Sequence, residues 1–220
     1  MSANSADVLH ISELFTSIQG ESTRAGLSCG FVRLAGCNLR CVWCDTTYAC
    51  EGGKEMRLEE IIETVSQWHI PLVEITGGEP LLQPGCISLA ASLVAKGYTT
   101  LVETNGTLPI DVLPEGVVRI MDIKCPDSGM SDKMHWPNIE ALTARDEVKF
   151  VLASRADYEW MLDVMHRHNL TKKCRAVLVS PVFGCLDAAQ LAIWMLEDRP
   201  LARLQLQLHK IIWPSDMRGV

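Results

Sequence analysis

Three cysteines stand within eight residues, Cys37-Asn38-Leu39-Arg40-Cys41-Val42-Trp43-Cys44, at spacings of four and three. Clustered thiolates hold iron–sulfur cubes or zinc. Three of them supply three corners of a four-iron, four-sulfur cube and leave the fourth iron open to another ligand. A structural zinc site wants four protein ligands. Cys29 or Cys50 is the available fourth, but neither forms a paired CxxC knuckle. The remaining reading is inert buried thiol. It suits Cys86, Cys174 and Cys185, which lie in or beside apolar stretches, better than the triplet.

The bulk properties narrow the class. The chain has 220 residues, 48% of them apolar, which is enough for a packed core and too evenly spread for a membrane span. A net charge of −7 argues against a nucleic-acid partner, because phosphate binding needs a basic surface. The nine cysteines are an odd number, and residues 1–7 are polar without the basic-then-apolar pattern of an export signal. A disulfide framework is therefore not expected, and a cytoplasmic location away from membranes is.

Thiols do chemistry only if other elements bring ligands to them. Residues 8–15 read as an opening strand, 16–21 as a polar loop, and 31–35 as a second strand that delivers the cysteines just past its end. Further strands are expected at 72–76, 99–103, 117–122, 147–152, 175–179 and 203–208. Helices are expected over 58–68 and 86–96, from Ser154 through Met165, and after Asp187, with Ser154 and Asp187 as caps. Residues 127–139 read as an exposed loop, and the link 105–115 is too short for a good helix. Alternating strands and helices predict a largely parallel sheet. A complete eight-fold barrel needs roughly 250 residues. The expectation is an α/β, incomplete TIM-like barrel of about six mostly parallel strands, in one domain over 1–220, with no repeat or linker. The loops after the strands then gather on one face. The cysteines, Gly77-Gly78-Glu79, Glu103-Thr104-Asn105, Lys124 and Ser180-Pro181 would share one cleft.

With those residues in view, CxxxCxxC and Gly77-Gly78-Glu79-Pro80 together resemble the radical S-adenosylmethionine (SAM) superfamily. The resemblance implies a [4Fe-4S] cluster on Cys37, Cys41 and Cys44, with SAM chelated to the open iron. One electron then cleaves a carbon–sulfur bond, and the resulting deoxyadenosyl radical takes a hydrogen from substrate. It further implies SAM contacts at Trp43, Asp45, Gly78, Glu79, Glu103, Asn105, Lys124 and Ser180, with the Glu79 carboxylate accepting from the SAM ammonium.

Ser17-Ile18-Gln19-Gly20-Glu21, Arg33, Cys44-Asp45-Thr46 and the tail Leu208-His209-Lys210…Trp213…Arg218-Gly219-Val220 resemble the 7-carboxy-7-deazaguanine synthase family along nearly the whole chain. This implies a lyase of queuosine biosynthesis that contracts the ring of 6-carboxy-5,6,7,8-tetrahydropterin and expels ammonia. It implies substrate contacts at Ile18, Gln19, Gly20, Arg33, Thr76 and His209, and a magnesium ion on Thr46. It also implies a homodimer and a flavodoxin or ferredoxin-type reductant. The tail departs from the family at Trp213-Pro214-Ser215, where glycine is commoner after the tryptophan. Two other readings share the thiol pattern. One is a glycyl-radical enzyme activating protein, and the other is a non-catalytic iron–sulfur or zinc protein.

Overall fold

The computed structural model describes residues 8–215 and 217–220. The polar stretch 1–7, and the absence of an export signal read from it, lie outside the described residues.

Among the described residues nine strands form one sheet in the order β3-β1-β2-β4-β5-β6-β7-β8-β9. Its parallel part is β2 (Ser28–Leu34), β4 (Leu72–Gly77), β5 (Thr99–Thr104), β6 (Val118–Asp122), β7 (Glu147–Leu152) and β8 (Ala176–Pro181), ended by the two-residue β9 (Arg203–Leu204). On the other side, β1 (Val8–Ile18) pairs antiparallel with β2, and β3 (Lys54–Arg57) pairs antiparallel with β1. The expected six parallel strands are present, and the sheet is not closed between β3 and β9.

Several expectations fail locally: β1 runs on through residues 16–18, expected as loop, and the stretch 127–139, expected to be exposed, buries Ser128, Met134 and Asn138. Lys54–Arg57 forms an edge strand that the sequence hides, because Lys-Glu-Met-Arg has no apolar alternation and its pairing comes wholly from β1. The alternating run 203–208 pairs only at Arg203 and Leu204. Beyond them the Gln205 amide still donates to the Val179 carbonyl at 2.9 Å, and the Leu208 amide then turns to Gly20 at 3.0 Å. The chain closes there into the short helix α7 (His209–Ile212).

Side chains alternate faces along a strand, and this period divides the molecule. Outward-facing Val32, Leu34, Val73, Ile75 and Val102 pack on Ile61 and Val65 of α1 (Leu58–Gln67) and on Leu89 and Leu93 of α2 (Gly85–Ala95). Outward-facing Val148, Phe150, Val177 and Val179 pack on Tyr158 and Met161 of α4 (Arg155–His168). Each fully buried aliphatic or aromatic side chain of this kind contributes about 1.5–3 kcal/mol. The Ser154 hydroxyl accepts from the Asp157 amide and caps α4, and Asp187 caps α6 (Ala188–Asp198), as expected. Two further short helices, α3 (Asn138–Ala141) and α5 (Leu170–Lys173), lie in connections.

The inner face has two zones. Cys29, Phe31, Leu72, Leu101, Val118 and Ile120 form a small apolar layer toward the strands' N-terminal ends. Arg33, Thr76, Glu103, Asp122 and Lys149 lie further along and face a cleft. The loop after β1 crosses this inner face. Its Thr23 amide donates to buried Glu147 of β7 at 2.9 Å, and its Ser22 carbonyl accepts from Gln205 at 2.9 Å. A loop beside one end of the sheet therefore touches strands at the other end, which a flat sheet does not allow. The sheet curves as a partial barrel. Among the described residues no helix is long and apolar enough to cross a membrane.

Candidate active site

The three cysteines leave β2 through Gly36 and line one cleft of about 460 Å³. The loop is held by its neighbours. The Gly36 amide donates to Ala49, the Glu79 amide to the Gly36 carbonyl at 2.8 Å, and the Val42 amide to Ser128 at 3.2 Å. Gly77 and Gly78 make this approach possible. Gly77 has φ +150°, and a Cβ at Gly78 would collide with the Gly36 carbonyl and sit 2.8 Å from the Cys37 Cβ. Gly78→Ala is therefore expected to displace the cysteine loop, with an overpacking cost of about 1–3 kcal/mol. Melting temperature and iron bound per chain after reconstitution check this, and an unchanged iron content would refute it.

All the predicted site residues except Glu79 and Ser180 line this cleft. Glu79 is fully buried and turned away from it. Its carboxylate accepts from the Leu81 amide at 2.9 Å, the Thr104 hydroxyl at 2.9 Å and the Asn105 amide at 2.7 Å. This corrects the expectation of an acceptor for the SAM ammonium: the strand-end amides and hydroxyl have taken those oxygens. Burial pushes the Glu79 carboxyl up, opposed by the same hydrogen bonds. Ser180 is also fully buried, on the inner face of β8 opposite Val177 and Val179, and among the described residues its hydroxyl has no protein partner. Cys185, expected among the buried thiols, is exposed, while Cys86 and Cys174 are buried as expected. Of the two candidate fourth thiols, Cys29 lies in the apolar layer and Cys50 lines the cleft.

The donor set suits a cluster. The described cysteines are free thiols, and Cys37, Cys41 and Cys44 are each partly exposed toward the cleft. The Leu39 amide and the Asn105 side-chain amide point at the Cys37 sulfur, at 3.4 and 3.9 Å, where they would steady a thiolate. Burial raises the Cys41 pKa, and the Lys124 ammonium works against that rise. Among the described residues no group of three Cys, His, Asp or Glu side chains is placed to hold a single metal ion. In a cube each thiolate binds a different iron, so thiols spread apart suit it better than they suit one zinc.

A charged network covers the cleft's inner wall. Lys149, 6% exposed, donates to Glu21 at 2.6 Å and Glu103 at 2.7 Å and lies 3.9 Å from Asp122. Lys124 pairs with Asp122 at 2.7 Å. Thr76 donates to Glu103 at 3.1 Å. Burial pushes the Glu103 carboxyl up, but Lys149 outweighs it and holds the group below the usual carboxylate range. Both lysines are held above their ordinary values by the carboxylates, against the effect of burial.

Arg33 donates through Nε to Glu13 at 2.9 Å and stacks over Phe15, leaving the rest of its guanidinium fork toward the cleft. Tyr48, bonded to the same Glu13 at 2.9 Å, is pushed up to about 12 by burial.

The C-terminal segment completes the enclosure. Lys210 bonds Asp45 at 2.6 Å, and Arg218 lies 4.0 Å over the Tyr48 ring. Burial raises Asp45, but Lys210 outweighs it and holds the carboxyl well below its usual range. His209 packs on Gly20, and burial lowers its pKa. Thr46 starts a single 3-10 turn without capping it through its side chain, and its hydroxyl donates to Asp45 at 2.8 Å. Glu74, Asp122 and Lys149 are charged residues of this wall that the sequence reading did not assign to the site. The available signal was a charge at an inward position of a largely apolar strand.

The comparisons now apply. Residues 32–170, more than half of the chain, match the Radical SAM superfamily. A 7-carboxy-7-deazaguanine synthase from Chlorobaculum tepidum is 48% identical, with 96% of this chain and 97% of the relative covered. One from Koribacter versatilis is 44% identical over 96% of this chain and all of the relative.

The chain belongs to the 7-carboxy-7-deazaguanine synthase family.

The fold agrees. The crystal structure of QueE from Escherichia coli superposes with a TM-score of 0.75 at 22% identity, over 91% of this chain and 94% of that one. The cofactors that go with this superfamily are a [4Fe-4S] cluster and SAM. The relatives do not favour the glycyl-radical activating reading.

Proposed function

We propose that this chain converts 6-carboxy-5,6,7,8-tetrahydropterin into 7-carboxy-7-deazaguanine and ammonia, on the route to queuosine and other 7-deazapurines. The observation that carries the reading is convergence. Loops from the ends of β2, β4, β5 and β6, with the tail after β9, meet around three free thiols in a family member matched along nearly its whole length.

In this reading Cys37, Cys41 and Cys44 hold the cluster, which with SAM supplies radical hydrogen abstraction when bound. Trp43, Asp45, Gly78, Glu103, Asn105 and Lys124 surround SAM. Glu79 is instead a positioning residue, fixing Asn105 and the turn at Leu81. Ser180 supports the inner wall from its buried position on β8. Ile18, Gln19, Gly20, Thr76 and His209 hold the pterin, and the free edge of Arg33 meets its carboxylate, a planar anion that a guanidinium fork matches. The buried lysine–carboxylate network keeps the inner wall fixed during turnover, and the tail pinned at Asp45 excludes water.

Thr46 supplies one oxygen to magnesium, an ion that keeps most of its waters and so needs few protein ligands. Thr46→Ala is expected to raise the magnesium needed for half-maximal rate by on the order of tenfold. A magnesium titration of turnover reads this, and an unchanged curve removes Thr46 from the metal site.

The chain acts as a single domain over 1–220, without a nucleic-acid or membrane partner. It takes its electron from a flavodoxin or ferredoxin-type donor and works as a homodimer in the cytoplasm. Exposed Leu201, Leu204, Leu206 and Ile211 beside the open β9 edge support the dimer.

The decisive experiment is anaerobic. The reconstituted protein is given SAM, reductant, magnesium and the carboxypterin, and deazaguanine and ammonia are measured. Equal amounts of both are expected. No product, with radical installed instead on a glycyl-radical protein, would overturn the reading.

A further inference from the structure

Glu74 stands apart from the other carboxyls of the cleft. It lies on the inner face of β4, 4% exposed, and lines the cleft. Glu21 and Glu103 share Lys149, and Asp122 has Lys124. Among the described residues Glu74 has no cation within ion-pair distance. Its protein partner is neutral: the Gln19 side-chain amide donates to Glu74 Oε2. Among the described residues no protein donor reaches Oε1, and that atom is not sealed off. Gln19 is fixed at its other end as well, where its Oε1 accepts from the Glu21 amide at 2.9 Å.

The charge balance around the group is one-sided. Glu21 faces it from the loop after β1, Cys29 from β2, Glu103 from β5 and Lys149 from β7. The one lysine among these already serves two carboxylates. A buried carboxyl without its own cation takes a proton rather than a charge. Burial first, and the neighbouring Glu103 second, push Glu74 up to about 8.

We propose that Glu74 is a further substrate-contacting residue, a neutral carboxyl that locks the Gln19 amide with one oxygen and presents the other to the lactam edge of the substrate's fused pyrimidinone ring. This rests on the pterin reading above. With Oε2 accepting from Gln19, the protonated Oε1 is a donor, and the carbonyl of the lactam edge accepts from it. Fixing Gln19 beforehand removes the rotamer freedom that binding would otherwise have to freeze.

The test compares Glu74→Leu and Glu74→Gln with the native holoenzyme. Glu74→Leu removes the partner of Gln19 and the donor to substrate, and is expected to raise KM ~10-fold or more with kcat changed far less. Glu74→Gln keeps a donor and an acceptor without charge, and is expected to recover most of that loss. The pH profile separates contact from scaffolding. Native KM is expected to rise above about pH 8, as the proton leaves and a negative charge appears beside Glu103. The Glu74→Gln profile is expected to stay flat there. Visible absorption of the loaded cluster and SAM cleavage without pterin show whether each variant is folded; if Glu74→Leu is not, Glu74→Gln and its profile decide. An unchanged KM in a folded Glu74→Leu, or an alkaline rise that persists in Glu74→Gln, overturns the assignment while leaving the pterin reading intact. Absence of pterin turnover by the native enzyme overturns both.

Discussion

Cys41→Ala is expected to fold normally, to load no ordinary four-iron cluster and to make no deazaguanine. Cys41 is a half-buried loop residue whose sulfur makes no protein hydrogen bond among the described residues, so the stability cost stays within about 1 kcal/mol. The loop itself is held by backbone bonds from Gly36 and Val42, which the substitution leaves in place. What is lost is one of three corners of the cube, and two thiolates do not retain it. Visible absorption, electron paramagnetic resonance of the reduced sample and product formation are the measurements, with thermal melting as the folding control. Cys50→Ala is the companion. Cys50 lines the same cleft but lies outside the CxxxCxxC spacing, and its variant should load a cluster and turn over. A normal cluster in Cys41→Ala, or its loss in Cys50→Ala, would mean that the ligands have been misassigned.

The largest expected change in stability belongs to Lys149→Met. The ammonium is buried and serves Glu21 at 2.6 Å and Glu103 at 2.7 Å, with Asp122 at 3.9 Å. Removing the shared cation costs about 3 kcal/mol, at the low end for a buried ion network, because Glu21 and Glu103 lose their partner while remaining mostly out of solvent. For a chain of this size that lowers the melting temperature by roughly 10 °C. The sign of the pH dependence follows from the two shifts. Glu103 is held below its ordinary 4.5, so its contribution is present above that value and is lost as pH falls through the depressed one. Lys149 is held above 10.5, so its contribution is full below that value and is lost as pH rises through the raised one. The deficit of the variant is therefore greatest between these limits and shrinks in acid. Turnover should fall on the order of 100-fold as Glu103 and the Glu21 loop lose their positions. A melting temperature equal to that of the native protein at pH 7 would show that the network is not what holds this wall.

Local patterns carried the sequence reading far. The thiol spacing, the glycines at 77 and 78, the period-two strands and the caps at Ser154 and Asp187 are all properties of short segments. Pairing between distant segments is where it went astray. The edge strand Lys54–Arg57 has no pattern of its own and exists because β1 offers an open edge. The run 203–208 has a strand's pattern but meets Gly20 and Ser22 and turns away. Glu79 stands in a loop motif that faces a cofactor by resemblance, yet three donors from its own turn and the end of β5 claim it.

The sequence by itself determined that three thiols sit at the end of a strand and that parallel α/β topology gathers such ends on one face, for which short-range spacing and alternation suffice. The family, one of radical SAM lyases, was legible in it through the resemblance of its motifs. Only the tertiary structure decided which charges share the cleft and which partners they take. Glu21, Glu74, Glu103 and Lys149 come from four separate segments. Their pairing depends on strand register and sheet curvature, and neither can be read along a single strand. Lys149 is placed between two carboxylates, and Glu74 is left with the neutral Gln19 as its partner.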